Sequence, residues 1–366
     1  MKTILIAALF GLMTSILCTP LVVKYFRSHG FGQEIRRDGP QSHLVKRGTP
    51  TMGGVAIIGS TIVGYIAAHV AATFRHDNAG PTASGLLLLF LMLGSGGVGF
   101  VDDLIKLRRR RNLGLRARAK FLGQLAVALI FGAGAMMFRD ARGLTPASKH
   151  LSYVRDIAPI SIGVIGFLVL AYLIVTATTN AANLTDGMDG LVAGSAAMVM
   201  GAYAIITFLQ FKSNCYPPPA LAGCYMVRDP QDLAIIAAAA MGACFGFLWW
   251  NASPAQIFMG DTGSMALGGL MAGLAILSRT ELLLVVLGGL FAVVTLSSVL
   301  QTGWFKITRI KTGTGRRIFR MAPFHHHFEL GGWDEVTTIV RFWIVCGLAV
   351  AFGIGLFYAE FISHPR

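Results

Sequence analysis

Five carboxylates interrupt an otherwise apolar chain where helices would begin or end. Asp102 and Asp103 lie in GFVDDLIK, Asp186 and Asp189 in NLTDGMDGL, and Asp261 in FMGDTGS, while His325, His326 and His327 form a triplet in APFHHHFE. Acids at the edge of a membrane segment are costly unless a cation or a basic partner compensates them. Such groups suit Mg²⁺, which takes one or two carboxylates and fills its remaining positions with water and substrate phosphate. Nearby lysines would neutralise the rest of the phosphate charge. The glycine-rich KRGTPTMGG, beginning at Lys46, offers backbone amides and an ammonium to an anion. Asp186 and Asp189, at i and i+3, are expected on one face of a first helical turn, with Gly187 and Gly190 leaving room for close approach.

Each motif also has a plain structural reading. Asp186 and Asp261 could be N-caps, worth about 1 kcal/mol each. Asp102 and Asp103 could mark where a span meets water, the histidines could form an interfacial cluster, and small residues after Lys46 could serve close helix packing. The convergence of all of them on one side of a membrane favours a metal and phosphate site.

The elements that carry these residues follow from composition. Of 366 residues, 54% are hydrophobic and only 13% charged, far from ordinary globular usage. A spanning helix needs roughly 20 apolar residues. About ten such stretches are expected, over Thr3–Val23, Gly53–Thr73, Gly85–Val101, Phe121–Phe138, Ile157–Val175, Leu191–Phe211, Leu233–Trp250, Gly263–Leu277, Leu282–Trp304 and Thr338–Phe361. The first reads as a retained helix, because further spans follow it. The expected fold is an all-α polytopic membrane protein, one integral domain over residues 1–366.

The net charge of +14 is concentrated in three loops, which argues against nucleic acid as a partner. Lys24, Arg27, Arg36, Arg37, Lys46 and Arg47 lie in one. Lys106, Arg108–Arg111, Arg116, Arg118 and Lys120 lie in a second, and Lys306, Arg309, Lys311, Arg316, Arg317 and Arg320 in a third. The positive-inside rule makes that side cytoplasmic and puts both termini outside. Arg139, Arg142, Lys149 and Arg155, in an outer loop, weaken the pattern without reversing it. The run Arg108–Arg111 is then a topology signal that also suits anionic lipid headgroups. Cys215 and Cys224 share an outer loop, where a disulfide is open to them. Cys18, Cys244 and Cys346 lie in apolar spans and read as packing residues.

In order and register, KRGTPTMGG, GFVDD, NLTDGMDGL, FMGDTGS and FRMAPFHHHFE resemble the cytoplasmic signatures of the phospho-N-acetylmuramoyl-pentapeptide transferase family, within the polyprenyl-phosphate N-acetylhexosamine-1-phosphate transferases. The resemblance spans nearly the whole chain. It implies a multi-pass enzyme of the bacterial inner (cytoplasmic) membrane that moves phospho-MurNAc-pentapeptide from UDP-MurNAc-pentapeptide to undecaprenyl phosphate. The products are lipid I and UMP, and Mg²⁺ is the cofactor. Residue by residue it implies Asp261 as the magnesium ligand and Asp102 and Asp103 beside the attacking lipid phosphate. Lys46, Asn183, Asp186, Asp189, Asn251 and Phe258 would form the nucleotide pocket, with Phe258 stacking on uracil. Lys120 and His325–His327 would serve the phosphates and phosphosugar. A homodimer fits the family, although no feature of the sequence establishes one. Two features depart from its usual form: a longer loop over 306–320 and the outer loop bearing Cys215 and Cys224.

Two competing classes fit less well. A transferase using UDP-N-acetylglucosamine lacks the histidine triplet. An ion-coupled transporter would place its acids near the bilayer midplane on broken helices, whereas these fall at span ends.

Overall fold

The computed structural model describes residues 1–30, 32, 46, 48–75, 80–109, 113–215 and 223–363. Arg36, Arg37, Arg47, Arg110 and Arg111 of the basic loops lie outside the described residues. Among the described residues, twelve helices and one hairpin follow one another: α1 Lys2–Ser28, α2 Gly54–Thr73, α3 Ala83–Arg108, α4 Ala117–Met137, β1 His150–Ser152, β2 Asp156–Ser161, α5 Gly163–Thr185, α6 Leu191–Lys212, α7 Pro230–Asn251, α8 Gly260–Leu277, α9 Leu283–Leu287, α10 Gly289–Thr312, α11 Phe324–Glu329 and α12 Glu335–Ser363. Ten of these helices are long and apolar enough to cross a membrane. The reason is that a helix satisfies every backbone polar group within its own segment. The chain is an all-α polytopic membrane protein.

Several expected spans have different boundaries: α1 runs on to Ser28, α3 to Arg108 and α4 starts at Ala117, so Lys24, Arg27, Lys106, Arg108, Arg118 and Lys120 lie on helices rather than in loops. Ile157–Ser161 is not the start of the fifth span but part of β2, antiparallel to β1 with His150 opposite Ser161. A short apolar run reads the same as strand or helix in hydropathy, and only pairing with β1 separates them. The ninth stretch is two helices, α9 and α10, separated at the adjacent Gly288 and Gly289. The α10 helix also continues to Thr312, so Lys306, Arg309 and Lys311 ride on a helical extension rather than in a loop.

The central helix is α8, with 89% of its apolar window buried, against 28% for α1, α4, α5 and α12. It packs against α3, α5 and α2. Small residues permit this: a Cβ on Gly54 of α2 would overlap the backbone of Gly263 in α8. Without a hydrophobic driving force between helices in lipid, such backbone approach is the main source of packing energy. The start of α8 meets the end of α3 and the start of α2, and this junction is where the acids of the site collect.

At the opposite face, Cys215 and Cys224 form a disulfide. Arg155 crosses from the hairpin to pair with Glu360 of α12 at 2.6 Å and lies over the Tyr225 ring. Glu281, between α8 and α9, is buried at 5% exposure. Burial pushes its carboxyl up to about 8, with Asp156 adding to the rise and Arg279 opposing it. Folded protein therefore holds this proton more tightly than the unfolded chain, whose carboxyl titrates near 4.5. Relative to Glu281→Gln, the wild type is expected to be fully stabilised below about pH 4.5 and to lose about 1.4 kcal/mol per pH unit up to about pH 8, then level off. Thermal unfolding of both proteins in detergent across that window checks it, and a difference that does not vary with pH would refute it.

Candidate active site

The last turns of α3 and the first turn of α8 bring Asp102, Asp103 and Asp261 together, with one oxygen from each lying within 4.8 Å of the others. Their neighbours are two lysines. Lys106 Nζ lies 2.7 Å from Asp102 Oδ2, 2.9 Å from Asp261 Oδ1 and 3.5 Å from Asp103 Oδ1. Lys120, in the first turn of α4, donates to Asp261 Oδ2 at 2.7 Å. Sequence reasoning does not single out Lys106 for the site, although its i+4 and i+3 spacing from the two aspartates is an available signal.

The three acids are not equivalent. Asp103 accepts from Asp261 N–H at 3.2 Å, Thr262 N–H at 2.9 Å and Thr262 Oγ1 at 2.8 Å. The orphan amides at the start of α8 are thus capped by a carboxylate from another helix. This corrects the N-cap reading of Asp261, which is itself the second helical residue and caps nothing. Asp102 accepts from Leu115 N–H at 2.7 Å through Oδ1 and meets Lys106 through Oδ2. Asp261 faces both lysines.

Asp186 and Asp189 do not share a helical turn. Asp186 is the C-cap residue of α5, and α6 is preceded by Gly190 at φ 81°, a left-handed conformation that favours glycine. Both acids therefore sit in a turn between two spans, a position i, i+3 spacing alone does not reveal. Burial, followed by the charges of Asp261, Asp103 and Asp189, holds the Asp186 carboxyl well above the usual carboxylate range. The turn lies beside the start of α8, which carries Asp261. Asn183 also joins the two, donating to Ser264 Oγ of α8 at 3.2 Å.

Asn251 is buried, and its amide is used internally: Oδ1 accepts from Gly190 N–H at 3.0 Å and Nδ2 donates to Ile257 O at 2.8 Å. It braces the α5–α6 turn against the α7–α8 connection. Phe258 bonds through its backbone to Pro50 O and Gly53 N–H, at 2.8 and 2.9 Å, and its side chain stays partly exposed. Lys46 pairs with Glu335 at 2.6 Å and with Asp189 at 2.9 Å. Glu335, like Lys106, is a residue that sequence reasoning misses, since nothing in the sequence relates it to a lysine 289 residues away.

The histidine triplet divides. His325 and His326 are buried on α11, with ring centroids 4.3 Å apart, and His325 lies against Gly187, where a Cβ would overlap its Nε2. His327 instead accepts the Arg320 N–H at 3.1 Å and stacks with Phe324. The first two adjoin the α5–α6 turn, and the third holds the loop before α11.

Three carboxylates and two ammoniums therefore meet at one end of the central helices of a polytopic membrane protein, beside the α5–α6 turn with its two further acids and the α11 histidines that adjoin it. Residues 85–279 match the family model described as Glycosyl transferase family 4, and residues 46–58 match Phospho-N-acetylmuramoyl-pentapeptide-transferase signature 1. The chain is 61% identical over 364 residues to the phospho-N-acetylmuramoyl-pentapeptide-transferase of Frankia alni, covering 100% of this chain and 99% of the relative. It is 55% identical to the protein of that name from Saccharopolyspora erythraea, covering 100% and 99%, and 55% identical to that from Mycobacterium leprae, covering 99% of each. The chain belongs to the phospho-N-acetylmuramoyl-pentapeptide-transferase family.

Proposed function

We propose that this protein transfers phospho-MurNAc-pentapeptide from UDP-MurNAc-pentapeptide to undecaprenyl phosphate, giving lipid I and UMP in an Mg²⁺-dependent reaction. The observation that carries this reading is the junction of α3 and α8, where Asp102, Asp103 and Asp261 converge on Lys106 and Lys120. We place that end at the cytoplasmic face of the bacterial inner membrane. Lys24, Lys106, Arg108, Arg116, Lys120, Lys306 and Arg309 lie toward it, and the Cys215–Cys224 disulfide lies at the other face, as an oxidising exterior favours.

The three acids are all-oxygen donors close enough to share one ion, which fits Mg²⁺, with Asp261 as its principal ligand and Asp102 beside it. When bound, the ion would neutralise charge on the diphosphate and on departing UMP. The chain's own groups supply the rest. The acceptor phosphate, with a second pKa of about 6, is mostly dianionic near pH 7 and needs no strong base. Its approach to a diphosphate needs positive charge, and Lys106 and Lys120 provide two ammonium groups at 2.7–2.9 Å from the carboxylates they would leave for phosphate oxygens. In this scheme an acceptor oxygen bonds to the sugar-bearing phosphorus as the bond from that phosphorus to UMP breaks. Asp102 orients the acceptor or takes a residual proton. Asp103, held by three donors from α8, positions Asp261.

In detergent, UMP release from UDP-MurNAc-pentapeptide is expected to require both undecaprenyl phosphate and Mg²⁺ and to cease on chelation. Release from UDP-N-acetylglucosamine instead would overturn the substrate assignment. A phosphosugar trapped on Asp102 or Asp103 without acceptor would overturn direct attack in favour of a covalent route.

A further inference from the structure

The family resemblance implies Lys46 and Asp189 for the nucleotide pocket, and neither holds its position through its own helix. Lys46 lies in a connection before α2, and Asp189 lies in the α5–α6 turn. Both are fixed by the first residue of α12. Glu335 Oε1 and Oε2 accept from Lys46 Nζ at 2.6 and 2.7 Å, and Oε1 also accepts from the backbone N–H of Asp189 at 3.1 Å. Lys46 gives its remaining contact to Asp189 Oδ2 at 2.9 Å, and the same oxygen accepts from Ala255 N–H at 3.0 Å. The three donors of the ammonium are then matched by three carboxylate oxygens.

On this basis, and resting on the function proposed above, we infer that Glu335 is a positioning residue for the nucleotide sugar. It ties the segment before α2, the α5–α6 turn and the α7–α8 connection to one point on α12. An acid in a first helical turn gains only modestly from the helix dipole, and that gain would not call for bonds to two other segments. The side chains are 17% exposed for Lys46, 15% for Glu335 and 3% for Asp189, so the triad is shielded from the solvent that weakens surface pairs. The bonds of Glu335 run to Lys46 and to the Asp189 backbone, whereas Asp102, Asp103 and Asp261 bond to Lys106, Lys120 and the starts of neighbouring segments, which separates its role from the chemical step. Its loss should weaken ground-state capture of the nucleotide sugar and leave turnover intact.

The test is a double-mutant cycle of Lys46→Gln and Glu335→Gln in the full-length protein, with KM measured for each substrate and with thermal unfolding. Glu335→Gln is expected to raise KM for UDP-MurNAc-pentapeptide about tenfold, the scale of lost outer-shell support, with kcat and the KM for undecaprenyl phosphate within about twofold. The double variant should raise KM by clearly less than the product of the two single effects, because Glu335 acts in part through Lys46 and in part through the Asp189 backbone. Multiplicative effects, equal rises in both KM values, or a wild-type KM in Glu335→Gln would overturn the inference. A wild type that turns over neither substrate would instead sink the proposed function, so the two failures are distinct.

Discussion

Asp261→Asn is expected to lower kcat for UMP release by at least about 10³-fold, about 4 kcal/mol of transition-state stabilisation. The carboxylate is the only one of the three that faces both Lys106 and Lys120, at 2.9 and 2.7 Å. It is also the principal donor to the proposed Mg²⁺. Asparagine preserves the shape of the helix start but removes the charge that draws an ion and opposes two ammoniums. The backbone N–H of residue 261 still donates to Asp103, so the start of α8 should keep its cap and the melting temperature should change little. Steady-state kinetics with saturating Mg²⁺, beside a melting curve, provide the measurement. A variant within tenfold of wild type would remove Asp261 from the centre of the reaction.

The second large effect comes from a residue with no side chain. A methyl on Gly99 of α3 would overlap the carbonyl oxygen and carbon of Asp261, and because these are backbone atoms no rotamer change relieves it. The start of α8 must move away from α3, and it carries Asp261 with it. Overpacking of this kind costs roughly 1–3 kcal/mol of stability, and a displacement of about 1 Å at a reacting centre can cost 10²-fold in rate. Gly99→Ala is therefore expected to lose about 10²-fold in activity and to melt at a lower temperature. Gly97→Ala, two residues away with nothing within 4 Å of its Cβ, should match the wild type. If the two variants behave alike, close approach of α3 and α8 is not what sets the site.

The helix-edge acids, Lys46, Lys120 and the histidines stand out chemically against apolar sequence, whereas Lys106 and Glu335 do not, and the spans are legible because length and hydropathy measure the bilayer directly. Boundaries are less so. Ile157–Ser161 is as apolar as a helix start but pairs with β1, and the adjacent Gly288 and Gly289 divide what hydropathy reads as one span. The reading of Asp186 and Asp189 as residues of a helical turn went wrong for a related reason. Spacing implies a shared face only once the segment is known to be helical, and Gly190 in a left-handed conformation delays the helix until Leu191.

By itself the sequence determined that this is a polytopic membrane protein, that its acids gather at span ends, and that its charge is asymmetric. Those properties depend on residue type and on short-range pattern, which a chain displays before it folds. Only the tertiary structure decided which groups meet. It set Lys106 among three carboxylates, turned Asp103 into the cap of a different helix, sent His327 away from its two neighbours, and closed Lys46 onto Glu335. These contacts are fixed by where helices cross, and helix crossing is set by backbone approach at small residues scattered through the chain.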